Sequence, residues 1–121
     1  MLRVGIVGPC GSGKTTLINL LRLNGQDFDL RHIAQEHSYV PDMWLRIVHP
    51  DVLIFLEVSF EIATSRRKLN WSQAEFTEQL RRLQNARENA DLVIPTDELT
   101  PEQIADCAIR FLRQSSGENG R

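Results

Sequence analysis

Apolar residues along this chain alternate between short unbroken runs and longer stretches with helical spacing. Leu2 to Val7 is a compact apolar run that reads as a strand, and Leu17, Ile18, Leu20 and Leu21 mark one face of a helix from Lys14 to Leu23. That helix should stop at Asn24-Gly25, where glycine accepts the left-handed position past a helix end. Phe28 to Gln35 predicts a second strand of mixed polarity ending at Glu36-His37, and Pro41 to Val48 predicts a short helix with proline in its first turn. Val52 to Leu56 is uninterruptedly apolar, the pattern of a central parallel strand covered on both faces, and Glu57 closes it.

The remaining elements are announced by their caps. Ser59 can cap a helix that carries Glu61, Ala63, Arg66, Arg67 and Lys68 and breaks near Asn70. Ser72 with Glu75 forms a capping box, with Trp71 and Phe76 at the two positions of a hydrophobic staple, and this helix should reach about Asn89. Asp91 to Ile94 is then a short strand. Thr100 and Gln103 repeat the box signature, Leu99 and Ile104 the staple, and Ile104, Ala108, Phe111 and Leu112 mark the buried face of the last helix. Residues 114–121 are small and polar, the composition of a frayed tail.

Strands alternating with helices predict an α/β fold, a three-layer α/β/α sandwich on a parallel four-stranded sheet. At 121 residues and 41% hydrophobic content the chain fits one domain, residues 1–113, followed by the tail. A net charge of −2 gives no electrostatic reason to expect nucleic acid as a partner. No apolar run approaches the roughly 20 residues that span a bilayer, so no membrane role is expected. Cys10 and Cys107 make no metal or redox pattern and Met1-Leu2-Arg3 leads straight into a strand, which points to a reducing, cytoplasmic compartment. His32, His37 and His49 show no metal spacing.

The sharpest chemistry lies between the first strand and the first helix. Gly8-Pro9-Cys10-Gly11-Ser12-Gly13-Lys14-Thr15 spells G-x-x-x-x-G-K-T in a strand–loop–helix setting. Glycines there let successive backbone N–H groups turn inward on phosphate oxygens, and the helix start adds the positive end of its dipole. Lys14 supplies a mobile charge for β- and γ-phosphates, and Thr15 a hydroxyl for Mg²⁺, with Thr16 following in the first turn. A nucleoside triphosphate is the expected ligand. The bland alternative, a glycine-rich turn that binds nothing, has no need of Lys14-Thr15. Cys10 within the loop is best explained by steric tolerance of a small residue.

With these segments the chain resembles the P-loop kinase family that includes thymidylate, cytidylate and shikimate kinases, from Leu2 to about Leu112. Besides the loop, Pro50 to Val58 followed by Glu61 to Arg66 is similar to the family's strand and helix before its lid, and Asn89 to Asp97 with Leu99-Thr100-Pro101-Glu102 is similar to the end of shikimate-kinase-like chains. The resemblance implies a P-loop NTPase fold, ATP and Mg²⁺ as ligands, and transfer of the γ-phosphoryl group to a small acceptor. The chain departs from the family by its shortness: only about ten residues separate Leu23 from the neighbourhood of the expected acid, too few for a crossover and a helical acceptor-binding insertion. Arg31 to Tyr39 then corresponds to a later strand of the family, Glu36 takes the acid's place, and the sheet order becomes 2-1-3-4.

Two roles are open to each candidate outside the loop. Glu36 either organises Mg²⁺ or acts as a base, or it is a solvated loop glutamate; Glu57 is a weaker metal candidate. Arg66 matches the lid arginine and would stabilise transferred charge, or it complements the dipole of a helix C-terminus. Arg81, Arg82 and Arg87 read as surface charges paired with Glu78 and Glu88, and Trp44 and Trp71 as core or staple residues. The functions in competition are an ATP-dependent phosphotransferase using Lys14, Glu36 and Arg66 on an unidentified small-molecule or protein acceptor, and a nucleotide-sensing module or slow ATPase. Guanine motifs are absent, which disfavours a GTPase. The open edges of a four-stranded sheet suggest a homodimer that completes the acceptor site.

Overall fold

The computed structural model describes residues 2–9, 11–23, 28–33, 43–67 and 72–119. Along the chain come β1 (Leu2–Val7), α1 (Lys14–Leu23), β2 (Phe28–His32), α2 (Met43–Val48), β3 (Val52–Glu57), α3 (Phe60–Arg67), α4 (Gln73–Asn89), β4 (Leu92–Pro95) and α5 (Pro101–Asn119). All neighbouring strands are parallel and the order is β2-β1-β3-β4, as the spacing argument required.

Strand side chains alternate between faces, and the two faces carry separate apolar clusters. Val4 and Ile6 of β1, Val52, Ile54 and Leu56 of β3 and Ile94 of β4 pack with Leu17, Ile18 and Leu21 of α1 and Ile104, Ala105, Ala108, Ile109 and Leu112 of α5. Val7, Leu53 and Phe55 turn the other way, against Leu83 and Ala86 of α4 and Val48 at the end of α2. Helices therefore cover both faces of the sheet. Both sides of β3 are buried, which is why its sequence is continuously apolar rather than alternating. Fully burying each large aliphatic side chain contributes about 1.5–3 kcal/mol, so β3 is the most heavily anchored strand.

Two aspartates set strand register by the same device. Asp51, just before β3, accepts from the Arg3 amide at 2.8 Å while its own amide donates to Arg3 O. Asp91, just before β4, accepts from the Leu53 amide at 2.8 Å and donates its own to Leu53 O. Each carboxylate occupies an amide at the sheet's amino-terminal end that would otherwise lack a partner.

The caps read from sequence are present. Ser72 and Glu75 form the reciprocal box at the start of α4, and Thr100 and Gln103 do the same for α5, with bonds of 2.8 and 3.1 Å. Ser59 Oγ accepts from the Ile62 amide at the start of α3. Trp71 lies outside the described residues; Phe76 meets Phe60 edge-on, with ring centroids 5.7 Å apart.

Boundaries differ in two places, and a third lies partly outside the described residues. The second strand stops at His32 rather than Gln35, although Ile33 still donates its amide to Ile6 O and is buried. The short helix begins at Met43, Pro41 falling outside the described residues. The last helix continues to Asn119, past the point at which its apolar face ends. Polarity alone marks where burial stops, not where helical hydrogen bonding stops. Only residues 24–27 lie between α1 and β2, so an acceptor-binding insertion has no place there.

Candidate functional site

The site is built where β1 ends. Gly8 follows β1 so closely against β3 that a Cβ on it would stand 2.5 Å from Leu56 O. Gly11 and Gly13 have φ of 82° and 98°, in the region that side chains disfavour. For Gly11 there is a second constraint, because a Cβ would sit 2.8 Å from Ala63 O of α3; at Gly13 the space is open and the dihedral alone demands glycine. The loop is thus wedged between the carboxyl end of β3 and the flank of α3. Ala63 is fully buried under it.

Lys14 closes the loop. Its Nζ donates to Gly8 O and, at 3.2 Å, to Pro9 O, and the side chain is 8% exposed. The ammonium group is held across the loop by its first two carbonyls rather than extended into solvent. Ser12 donates its amide to Pro9 O at 3.1 Å, and its hydroxyl is fully buried with no hydrogen-bond partner among the described residues. The first α-helical bond runs from Leu17 N to Gly13 O at 2.9 Å, so the amides preceding Leu17 at the start of α1 have no acceptor in their own helix. Thr15 and Thr16 stand exposed at this start. Glycine dihedrals, a helix N-terminus and a lysine ammonium converge on one spot suited to an oligoanion.

Arg66, on the last turn of α3, reaches the same spot. Its Nη1 donates to Gly11 O at 3.3 Å and to Thr96 Oγ1 at 3.1 Å, and its Nη2 to Thr96 O at 2.7 Å. Beside the loop is a cavity of about 230 Å³, walled by Leu17, Leu99, Pro101 and Ile104 and rimmed by Ser12, Gly13, Thr16 and Arg66. Pockets enclosing a whole drug-sized ligand run about 300–1,000 Å³, so this one matches a single ring system.

The structure therefore brings Gly8, Pro9, Gly11, Ser12, Gly13, Lys14, Thr15, Thr16 and Arg66 together. Cys10 and Glu36 lie outside the described residues, as do His37, Lys68 and Trp71. Among the described residues no group of three or more His, Cys, Asp or Glu is placed to hold a metal ion. Glu57 is not aimed at the loop: its carboxylate pairs with Arg87 of α4 at 2.8 Å. Arg87 thus pairs with Glu57 rather than Glu88, whereas Arg81 and Arg82 both pair with Glu78, as their spacing on one helix face suggests. Sequence reasoning missed Thr96. The only cue was a buried-type strand ending in a residue with a hydroxyl, and that does not reveal which arginine it meets.

No helix among the described residues is long and apolar enough to cross a membrane. Compared with family models and with curated protein sequences, the chain matches none.

Proposed function

We propose that this protein binds ATP with Mg²⁺ through the loop from Gly8 to Thr16, as a P-loop NTPase of kinase type, and transfers the γ-phosphoryl group to an unidentified small acceptor. The observation that carries the reading is the held Lys14: an ammonium fixed by Gly8 O and Pro9 O above two glycines of positive φ and the start of α1. A lysine folded back on carbonyls for stability alone has no use for helix-start amides beside it that lack an acceptor in their own helix. The adjoining apolar cavity favours a nucleotide over inorganic polyphosphate, because Leu17, Leu99, Pro101 and Ile104 offer a base-sized slot within reach of the loop.

On this reading the chain's own groups act by binding and orientation. Backbone amides from Gly13 to Thr16 orient the phosphates, and Lys14 places positive charge against the β- and γ-oxygens. Thr15 offers its hydroxyl to Mg²⁺, and Glu36 is the acid proposed to organise it. Mg²⁺ when bound supplies charge neutralisation on the phosphate oxygens. Arg66 touches the loop itself, at Gly11 O, where it can stabilise transferred charge.

A second reading is favoured by the way Arg66 is engaged. Its guanidinium holds Thr96 and Gly11, and only residues 24–27 separate α1 from β2, which suits a module that senses nucleotide without phosphorylating an acceptor. An acceptor site completed by a second copy of the chain would restore the kinase reading. The two are separated by incubating the protein with γ-labelled ATP and Mg²⁺ across nucleosides, nucleotides and small hydroxy acids. Labelled product lost in Lys14→Ala is expected for the kinase. Thermal stabilisation by MgATP without product from any acceptor contradicts it and leaves the sensor.

A further inference from the structure

We infer that Thr96, at the carboxyl end of β4, is the positioning residue that holds the Arg66 guanidinium against the nucleotide-binding loop. The inference rests on the nucleotide reading above and adds to it a residue outside the glycine-rich motif.

Thr96 is fully buried, although its side chain is polar. Its amide and its hydroxyl both donate to Glu57 O, each at 2.8 Å, so the threonine is tied to β3 by two bonds to one carbonyl. With its only hydroxyl proton given to Glu57, Oγ1 can face Arg66 only as an acceptor, and it takes Nη1 at 3.1 Å. Thr96 O takes Nη2 at 2.7 Å. One residue therefore engages both arms of the guanidinium, which sets its plane as well as its position. The same Nη1 reaches Gly11 O at 3.3 Å, so the plane Thr96 sets is the one that touches the loop.

The arrangement answers a cost. Arg66 stands on an exposed helix surface, where an arginine samples many rotamers, and ordering it only when ligand arrives would subtract from affinity. Thr96 meets that cost on folding. Among the described residues lining the cavity beside the loop Arg66 is also the one cation, so the orientation of its side chain bears on the charge at the mouth.

The test is a calorimetric titration of MgATP into the unaltered chain, Thr96→Val, Thr96→Ser, Arg66→Ala and the double variant Thr96→Val/Arg66→Ala, each checked for cooperative thermal unfolding. Valine keeps the shape and removes the acceptor; serine keeps it. Losing one oriented hydrogen bond to a charged group predicts about three- to tenfold weaker binding for Thr96→Val. Thr96→Ser should stay within about twofold of the unaltered chain, and Thr96→Val should add nothing in the Arg66→Ala background, because both remove the same contact. Unchanged affinity in Thr96→Val, losses that multiply in the double variant, or Thr96→Ser as weak as Thr96→Val overturns the inference. Absence of binding to the unaltered chain overturns the nucleotide reading itself, a result distinct from these.

Discussion

At the scale of single residues, the loop asks different things of its glycines. Gly13 needs only a positive φ, whereas Gly11 needs both a positive φ and the absence of a Cβ facing Ala63 O. Gly13→Ala should therefore cost about 1–3 kcal/mol of strain, and Gly11→Ala more, read as the ordering of their urea midpoints. Equal midpoints would show that α3 moves aside freely. Ser12 presents the opposite case: its buried hydroxyl has no partner among the described residues, so Ser12→Ala removes a desolvated group without breaking any bond described there. Thermal unfolding should show Ser12→Ala at least as stable as the unaltered chain, and a loss of about 1 kcal/mol or more would reveal a partner for that hydroxyl. The glycines and Lys14 were legible in the sequence because they stand at fixed spacing within one short, local motif. Thr96 and Ala63 were not, because their importance comes from elements that meet the loop only after folding.

At the scale of elements, caps and alternation carried most of the reading. The boxes Ser72/Glu75 and Thr100/Gln103 are local in sequence, and both form as expected. Ser72→Ala should lower stability by about 1 kcal/mol, measured by denaturant unfolding, and no change would mean that the first turn of α4 frays in any case. Arg81 and Arg82 hold Glu78 on α4, and the hydrogen bond from Arg81 is the largest cause that lowers its pKa to about 2 from 4.5. The folded-state value is depressed, so the pair's contribution is present above about 4.5 and fades as pH falls toward 2. The difference in unfolding midpoint between the unaltered chain and Glu78→Gln should be small at neutral pH, because the group is exposed, and should shrink further across that window. A difference that grows on acidification would contradict the pairing. What local pattern did not reveal was the end of β2, where Ile33 stays bonded to Ile6 O after regular pairing has ceased, and the pairing of Arg87 with Glu57, thirty positions away.

At the scale of the whole molecule, the order β2-β1-β3-β4 puts β1 between its sequence neighbour and β3. The order of strand addition reverses between β1 and β3, β2 lying to one side of β1 and β3 to the other, and a doubly wound sheet binds ligands at the carboxyl ends of strands at such a point. The loop stands there, braced by Leu56 of β3 and Ala63 of α3. The topology followed from counting: too few residues lie between α1 and the next strand for an insertion, so the second strand had to lie beside the first. The edges bear on assembly. β2 carries Asp29, which pairs with both Arg31 and Arg3, while β4 is four residues long and ends at Pro95. Charges and a terminal proline discourage pairing of edge to edge, so a homodimer completing the acceptor site would have to form through another surface. Light scattering with and without MgATP should show no dimer that Asp29→Ala strengthens or weakens; a dimer sensitive to Asp29 would place the interface on the β2 edge.

The claim on which the rest depends is that the loop holds a nucleoside triphosphate through Lys14. Calorimetric titration of the purified protein with ATP, with and without Mg²⁺, beside Lys14→Ala measures it directly. The account predicts Mg²⁺-dependent binding of ATP that disappears in Lys14→Ala while that variant still unfolds cooperatively. Binding that survives in Lys14→Ala, or no binding to the unaltered chain, would contradict it.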